Sequence, residues 1–293
     1  MMRSWNIRRH FAQLLATAAA DPFVSNFWTG SIYKGPAKQI CTPGLNCYSC
    51  PAAAGACPIG SIQTVAAGNR LGISFYAYGF LIIMGALLGR IVCGFLCPFG
   101  FIQDLLHKVP VRKFDPHGRI DALMRYMKYL ILISFVILLP LIVRDQFGLS
   151  KPFFCKYICP AGTIEAGIPV LLTNGSLRQL AGVLFGWKLL LAILLIGGAM
   201  VIYRPFCKYI CPLGAIYSLF NRVSLIQMYV DKGTCTGCGL CERSCLMNVK
   251  VTENINSPEC IRCGKCKAVC PVQAIKWKNG MVSLENGPAK RTC

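Results

Sequence analysis

The chain is short of charge, of acidic charge above all, and of histidine. Only 14% of its 293 residues are charged, and 11 Asp and Glu face 31 Lys and Arg. So apolar a composition, 55% hydrophobic with positive mean hydropathy, excludes an ordinary soluble domain and points to an integral membrane protein. The scarcity of acid leaves a net charge of +20, but no basic, aromatic-interleaved stretch accompanies it. Nucleic acid is therefore not the expected partner. The cations lie beside apolar runs, where topology and anionic lipid account for them. The three histidines, His10, His107 and His117, fall at or beyond the edges of those runs, which argues against haem held between paired intramembrane imidazoles. A phosphate-binding glycine loop and a hydrolytic triad are also missing, so no catalytic residue is assigned.

Cysteine is what the chain has in excess, at nineteen. In a short secreted protein that density indicates disulfides, but alongside membrane spans metal ligation is the stronger reading. Spans are expected near 11–27, 71–89, 123–143 and 181–203, each long enough or nearly so for a core of roughly 30 Å. The first also has features of a signal peptide, in Arg8, Arg9 and Ala18-Ala19-Ala20; a retained span is the reading adopted. Lys and Arg concentrate before the first span and between the second and third. The N-terminus, the 90–128 loop and everything after Arg204 are therefore expected in the cytoplasm.

Cys-Pro-x-Gly-x-Ile occurs four times, at Cys57, Cys97, Cys159 and Cys211. Three copies carry a second cysteine four residues earlier, at Cys93, Cys155 and Cys207, and FCKYICP is written twice, at 154–160 and 206–212. Cysteines at i and i+4 share a helical face; the proline after the second breaks one helix and starts another. The repeats alternate sides of the membrane, as in proteins built from inverted repeats. The inner side collects Cys93, Cys97, Cys207 and Cys211, the four thiolates of a [4Fe–4S] cluster. The outer side collects Cys155, Cys159 and Cys57, with Cys50 taken as fourth ligand ahead of Cys47 and Cys41, and with disulfides as the competing chemistry. Six residues after each Cys-Pro cysteine stand Gln63, Gln103, Glu165 and Tyr217, candidates for bonding a cluster sulfur or a quinone head, with snorkelling or turn capping as the favoured reading. Lys188 is expected to snorkel and Cys293 to be a spare thiol.

From Val230 the composition turns polar and holds two C-x2-C-x2-C-x3-C runs, the bacterial two-cluster pattern. One [4Fe–4S] cluster is expected on Cys235, Cys238, Cys241 and Cys270, the other on Cys260, Cys263, Cys266 and Cys245. The doubled run is far more specific to iron–sulfur than to zinc. Leu246 stands where the pattern usually has proline.

These motifs together, VCGFLCPFGFIQ, FCKYICPLGA and the tail, resemble the NapH-type family of membrane polyferredoxins. That family includes quinol-dehydrogenase subunits of periplasmic nitrate reduction and the membrane half of the NosR type. The resemblance implies a mainly α, polytopic membrane domain over residues 1–229, a small α+β ferredoxin-like domain over 230–282 on the cytoplasmic side, and a tail, 283–293. It implies electron transfer between a quinone pool or cytoplasmic donors and an extracytoplasmic redox partner, in the cytoplasmic membrane. One or two clusters beyond the ferredoxin pair are expected at the membrane motifs, with a quinone as further cofactor. The third CxxxCP and the cysteine-rich outer loop depart from the nitrate-reduction pattern and suggest a different outer acceptor. A cofactor-assembly or metal/thiol-reductase factor and a redox sensor are the alternatives; the label quinol dehydrogenase rests on the quinone step alone.

Overall fold

A computed structural model describes residues 2–29, 31–68, 74–116, 118–144, 146, 150–173, 175 and 182–279. His117, Cys293, Arg70, Arg178, the 283–293 tail and the first residues of the span expected at 71–89 lie outside them. The described chain is mostly helical, and its one sheet is a two-stranded antiparallel pair, Ile226–Val230 with Ile275–Asn279.

Among the described residues two helices are long and apolar enough to cross a membrane, Arg119–Ile142 and Val183–Val201. They coincide with the spans expected at 123–143 and 181–203, and Leu123, Leu130, Ile142, Val183, Ile193 and Leu194 stand exposed along them. The other two expected spans differ. Phe75–Leu88 has 14 residues, about 21 Å of helix at 1.5 Å per residue, short of the bilayer core. The first helix, Met2–Ala20, ends where Pro22 disfavours a helical Asp21, so no continuous helix covers 11–27. Its polar side is packed inward. Arg9 and Gln13 are buried, and Trp5 donates to the Cys263 carbonyl at 2.9 Å.

The Cys-Pro-x-Gly motif builds the same corner at each inner copy. Cys97 and Cys211 take extended backbone and cap the helices Pro98–Leu106 and Pro212–Phe220, with proline at the first helical position. Each cap sulfur accepts from the glycine three residues on, Gly100 at 3.4 Å and Gly214 at 3.3 Å. Glycine is needed there for space as well: a Cβ at Gly100 would lie 3.1 Å from the Cys93 carbonyl oxygen. Before three of the motifs the helix relaxes into a π turn or a five-residue loop-back, Val92–Leu96, Phe154–Ile158 and the Cys211 N–H to the Phe206 carbonyl at 2.9 Å. Such bulges are frequent where side chains are re-aimed toward a site.

The ferredoxin sheet begins at Ile226, ahead of the composition change at Val230, because apolar Ile226 and Met228 pair with the strand holding Trp277. Gly239 and Gly264 follow the second cysteine of each run with positive φ, 69° and 73°, turning the chain over the cavity below. Leu246, in place of proline, packs partly buried against the main core. That core is continuous between the two parts: Val92, Phe99 and Tyr217 share it with Met247, Val249 and Ile261. Arg262, 1% exposed, ties the parts further, donating to the Leu88 carbonyl at 3.3 Å, Ser224 Oγ at 2.6 Å and the Ile226 carbonyl at 2.5 Å.

Candidate functional site

Three cavities are each rimmed by four thiols. The first lies among Cys235, Cys238, Cys241 and Cys270, the second among Cys245, Cys260, Cys263 and Cys266. The third lies among Cys93, Cys97, Cys207 and Cys211, drawn from the second and fourth repeats. Each is the set expected from the sequence. A fourth group assembles from the outer copies. Cys57, Cys155 and Cys159 stand near enough to one another, and to Cys47, for their charges to interact in every pair. Cys50, the residue expected as fourth member, is elsewhere: its Sγ donates to the Glu165 carbonyl at 3.4 Å and it packs with Ala52 and Ala53. A tight turn links the two residues, the Cys50 N–H reaching the Cys47 carbonyl at 3.0 Å, and Cys47 also packs against the small cluster that holds Cys50. Cys41 lies beside Ser61 at 3.9 Å.

Among the described residues no three His, Cys, Asp or Glu side chains converge as they would on a single metal ion. The thiols surround space instead. A tetrahedral zinc needs four sulfurs about 2.3 Å from one point, whereas a cubane needs four sulfurs around a volume. The donor chemistry fits the cubane, and so do the N–H groups aimed at sulfur. In the ferredoxin part Arg262 N reaches Cys260 Sγ at 3.4 Å and Ala274 N reaches Cys270 Sγ at 3.3 Å. At the inner quartet Gly100, Gly214 and Leu45 donate from the backbone, and Gln103 Nε2 donates to Cys207 Sγ at 3.2 Å. At the outer quartet Gln63 Nε2 donates to Cys155 Sγ at 3.4 Å. Burial pushes the Cys260 thiol up to about 12, so loading a metal there releases protons.

Charged groups that hydropathy hides surround the inner quartet. Arg204, wholly buried and in the left-handed region at φ 49°, is pinned by two 2.6 Å contacts to Asp104 and donates to the Cys93 carbonyl. Arg9 also pairs with Asp104, and Gln13 bridges Asp104 at 2.9 Å and the Gly94 carbonyl at 3.0 Å. Arg90, equally buried, reaches Pro258 O at 2.6 Å and Glu259 at 3.3 Å, and Lys128 reaches Glu259 at 2.5 Å. The signal for the two arginines was available: each precedes its CxxxCP by three residues, Arg90 before Cys93 and Arg204 before Cys207. At the outer quartet Lys188 does not snorkel. It turns inward and donates to the Cys155 carbonyl at 3.2 Å.

The groups are linked in space. Gly94, beside Cys93, lies so close to the ferredoxin part that a Cβ there would sit 2.5 Å from the Ile261 carbonyl oxygen, within the run holding Cys260 and Cys263. The outer and inner groups also share a neighbour: Tyr217 lies within electrostatic reach of Cys57 of the outer group and of Cys93, Cys97 and Cys211 of the inner.

The profile of a 4Fe-4S binding domain family matches residues 71–117, 129–168 and 184–228, each an apolar run with the Cys-Pro motif that follows it in sequence. A 4Fe-4S dicluster domain matches 227–271. An uncharacterized protein of Methanocaldococcus jannaschii is 30% identical over 219 residues, covering 75% of this chain and 76% of its own. A second uncharacterized protein of that organism is 31% identical over 205 residues, covering 67% and 75%. The ferredoxin-type protein NapH of Escherichia coli is 25% identical over 242 residues, 77% of each chain. No solved structure matches the chain.

Proposed function

The chain belongs to the ferredoxin-type family of membrane electron-transfer proteins that includes NapH, and on that premise we propose that it is a four-centre electron conduit. The centres are [4Fe–4S] clusters, which supply one-electron transfer when bound. Cys235, Cys238, Cys241 and Cys270 hold the outermost, at the exposed end of the ferredoxin part. Cys245, Cys260, Cys263 and Cys266 hold the next. Cys93, Cys97, Cys207 and Cys211 hold the inner membrane centre, and Cys47, Cys57, Cys155 and Cys159 the outer one. The observation that carries this reading is the inner quartet. Two distant repeats bring four thiols around one cavity, under N–H donors and beside two buried guanidinium groups, with the ferredoxin run packed directly on Gly94.

In this reading Arg90, Arg204 and Lys188 offset the negative charge of the thiolate-bound centres, and Gln63 and Gln103 direct amide hydrogens at sulfur. The chain is multi-pass, with the short Phe75–Leu88 helix and part of the first helix completing the membrane domain up to residue 225. The ferredoxin part, from Ile226, faces the cytoplasm, in line with the excess of Lys and Arg in the 90–128 loop. A quinone exchanges electrons along the path, and an extracytoplasmic redox protein is the partner at the outer centre.

The test is iron and acid-labile sulfide content with EPR on the anaerobically purified full chain. About sixteen irons are expected, falling by about four in Cys207→Ala/Cys211→Ala. About eight, unchanged in that variant, would mean that only the ferredoxin part is loaded and would overturn the conduit.

A further inference from the structure

The four residues at the same place in the four repeats do two different jobs. Gln63 and Gln103 do one of them, each gripping a copy of FCKYICP. Gln63 accepts from Phe154 N at 3.0 Å while donating to Cys155 Sγ, and Gln103 accepts from Phe206 N at 3.2 Å while donating to Cys207 Sγ. Glu165 and Tyr217 do the other, holding the two ends of a single stretch, Pro43–Cys47. Tyr217 donates its hydroxyl to the Pro43 carbonyl at 2.9 Å, and Glu165 Oε2 accepts from Cys47 N at 2.9 Å.

Between those clamps the stretch is buried, with Leu45 3% and Asn46 0% exposed. Leu45 donates its N–H to Cys97 Sγ at 3.4 Å, and Gly44 and Leu45 line the inner cavity. Gly44 is pressed so close that a Cβ would lie 2.8 Å from Cys97 Cα and 3.0 Å from Pro98. Two residues after Leu45, Cys47 joins Cys57, Cys155 and Cys159. Sequence order assigns this loop to the outer side, yet it reaches the inner quartet. Two residues of chain span at most about 7 Å, against roughly 30 Å for a bilayer core.

We propose that Pro43–Cys47 is a shared wall between the inner and outer quartets, so that the two centres are electronically coupled through one short strap. One end directs an N–H at an inner sulfur and the other supplies an outer thiol. This rests on the reading that both quartets hold clusters. An ordinary buried loop gives no reason for a backbone N–H to be directed at a cluster sulfur, nor for a glycine set against Cys97. An electron lost by one centre is the electron gained by the other, and no bond or proton of the strap changes.

The experiment is EPR of the full chain in detergent, reduced stepwise with dithionite and then with europium(II). Iron is counted in every sample. With both membrane centres reduced, the expected spectrum shows spin–spin splitting that disappears in Cys207→Ala/Cys211→Ala. Leu45→Pro keeps every thiol and removes the N–H, so the expected result is full iron content with a lowered midpoint potential at the inner centre. If that variant loses iron, Gly44→Ala, which displaces the strap from Cys97, serves for the same measurement. Full iron with two unsplit, independent membrane signals overturns the shared wall and leaves the conduit standing. An unchanged inner midpoint in an iron-replete strap variant also overturns it. Iron for the ferredoxin part alone overturns the conduit itself, and the strap with it.

Discussion

Arg90 stands three residues before Cys93, yet its Nη2 donates to the carbonyl of Cys207, 3.2 Å away in the other half of the chain. Arg204, three residues before Cys207, returns the contact to the carbonyl of Cys93. The halves are therefore joined by exchange, each lending a cation to the backbone that positions the other's thiol. The glycines three after Cys97 and Cys211 leave room for it, since a Cβ on Gly100 would sit 3.3 Å from Arg204 Nη1 and one on Gly214 3.6 Å from Arg90 Nη2.

Arg204→Gln tests that exchange. It leaves Asp104 with Arg9 as its one remaining cation, beside the Gln13 amide, and removes a positive charge from beside the inner quartet. Breaking a buried pair from one side costs about 3–5 kcal/mol. The thermal midpoint is expected to fall, and the midpoint potential of the inner centre to fall with it, because the reduced state is the more negative one. Differential scanning fluorimetry and an EPR-monitored redox titration check the two. An inner potential that does not move would remove Arg204 from the electrostatics of the centre.

Gln103→Leu isolates the amide hydrogen directed at Cys207. The side chain keeps its volume but loses the donor to sulfur and the acceptor for Phe206 N. One hydrogen bond of about 1 kcal/mol, felt mainly by the reduced state, corresponds to a drop on the order of tens of millivolts for a one-electron couple. Gln63→Leu is expected to do the same to the outer centre and leave the inner one alone. Redox titration of the two variants side by side reads this, and equal shifts at both centres in either variant would contradict the assignment.

Much of this was legible because thiol spacing is a local signal. The doubled C-x2-C-x2-C-x3-C runs and the alternation of repeats were enough to group Cys93 and Cys97 with Cys207 and Cys211. The fourth outer residue was not legible. Cys47 and Cys50 lie in the same aperiodic loop, and both touch Glu165 more than a hundred positions away, so spacing alone does not rank them. The depth of that loop was equally hidden, since the bias of Lys and Arg assigns a side and not a distance from the midplane. Arg9 and the 90–128 loop that Arg90 opens were read for topology, and Arg204 only as a boundary, because hydropathy cannot distinguish a cation in water from one buried against a carboxylate. Nor does hydropathy register that Trp5, Arg9 and Gln13 fix the first helix to the ferredoxin run and the inner motif.

Glu259 makes the joint between the ferredoxin part and the membrane part dependent on pH. Burial alone would raise its carboxyl, but Arg90 and Lys128 outweigh that and hold it below its ordinary 4.5. A depressed folded value means that the carboxylate stabilises the fold fully above its unfolded value and progressively less as pH falls through the folded one. The melting difference between the native chain and Glu259→Gln is therefore expected to stay constant from pH 7 down to about 5 and to shrink below about 4.5. Glu259→Ala, which leaves two buried cations without their carboxylate, is expected to cost about 3–5 kcal/mol at pH 7. A difference that grew on acidification would mean that Glu259 is protonated in the folded chain.

Cys47→Ser and Cys50→Ser, compared directly, decide what the outer loop is for. Both residues lie within the same ten positions, and both touch Glu165, Cys47 through its N–H and Cys50 through its thiol. Disturbance of the loop is therefore similar in the two. If the outer quartet is Cys47, Cys57, Cys155 and Cys159, Cys47→Ser loses or reshapes one cluster signal and about four irons, because a serine oxygen is a poor substitute for a thiolate at a cubane corner. Cys50→Ser keeps the irons and alters at most the hydrogen bond to the Glu165 carbonyl. The reverse pattern would require the 47–50 turn to open and present Cys50 to Cys57, Cys155 and Cys159. Equal retention of iron in both would leave the outer thiols without a cluster and make the oxidised pairing of Cys155 with Cys159 or Cys57 the chemistry to look for, by mass spectrometry of the non-reduced chain.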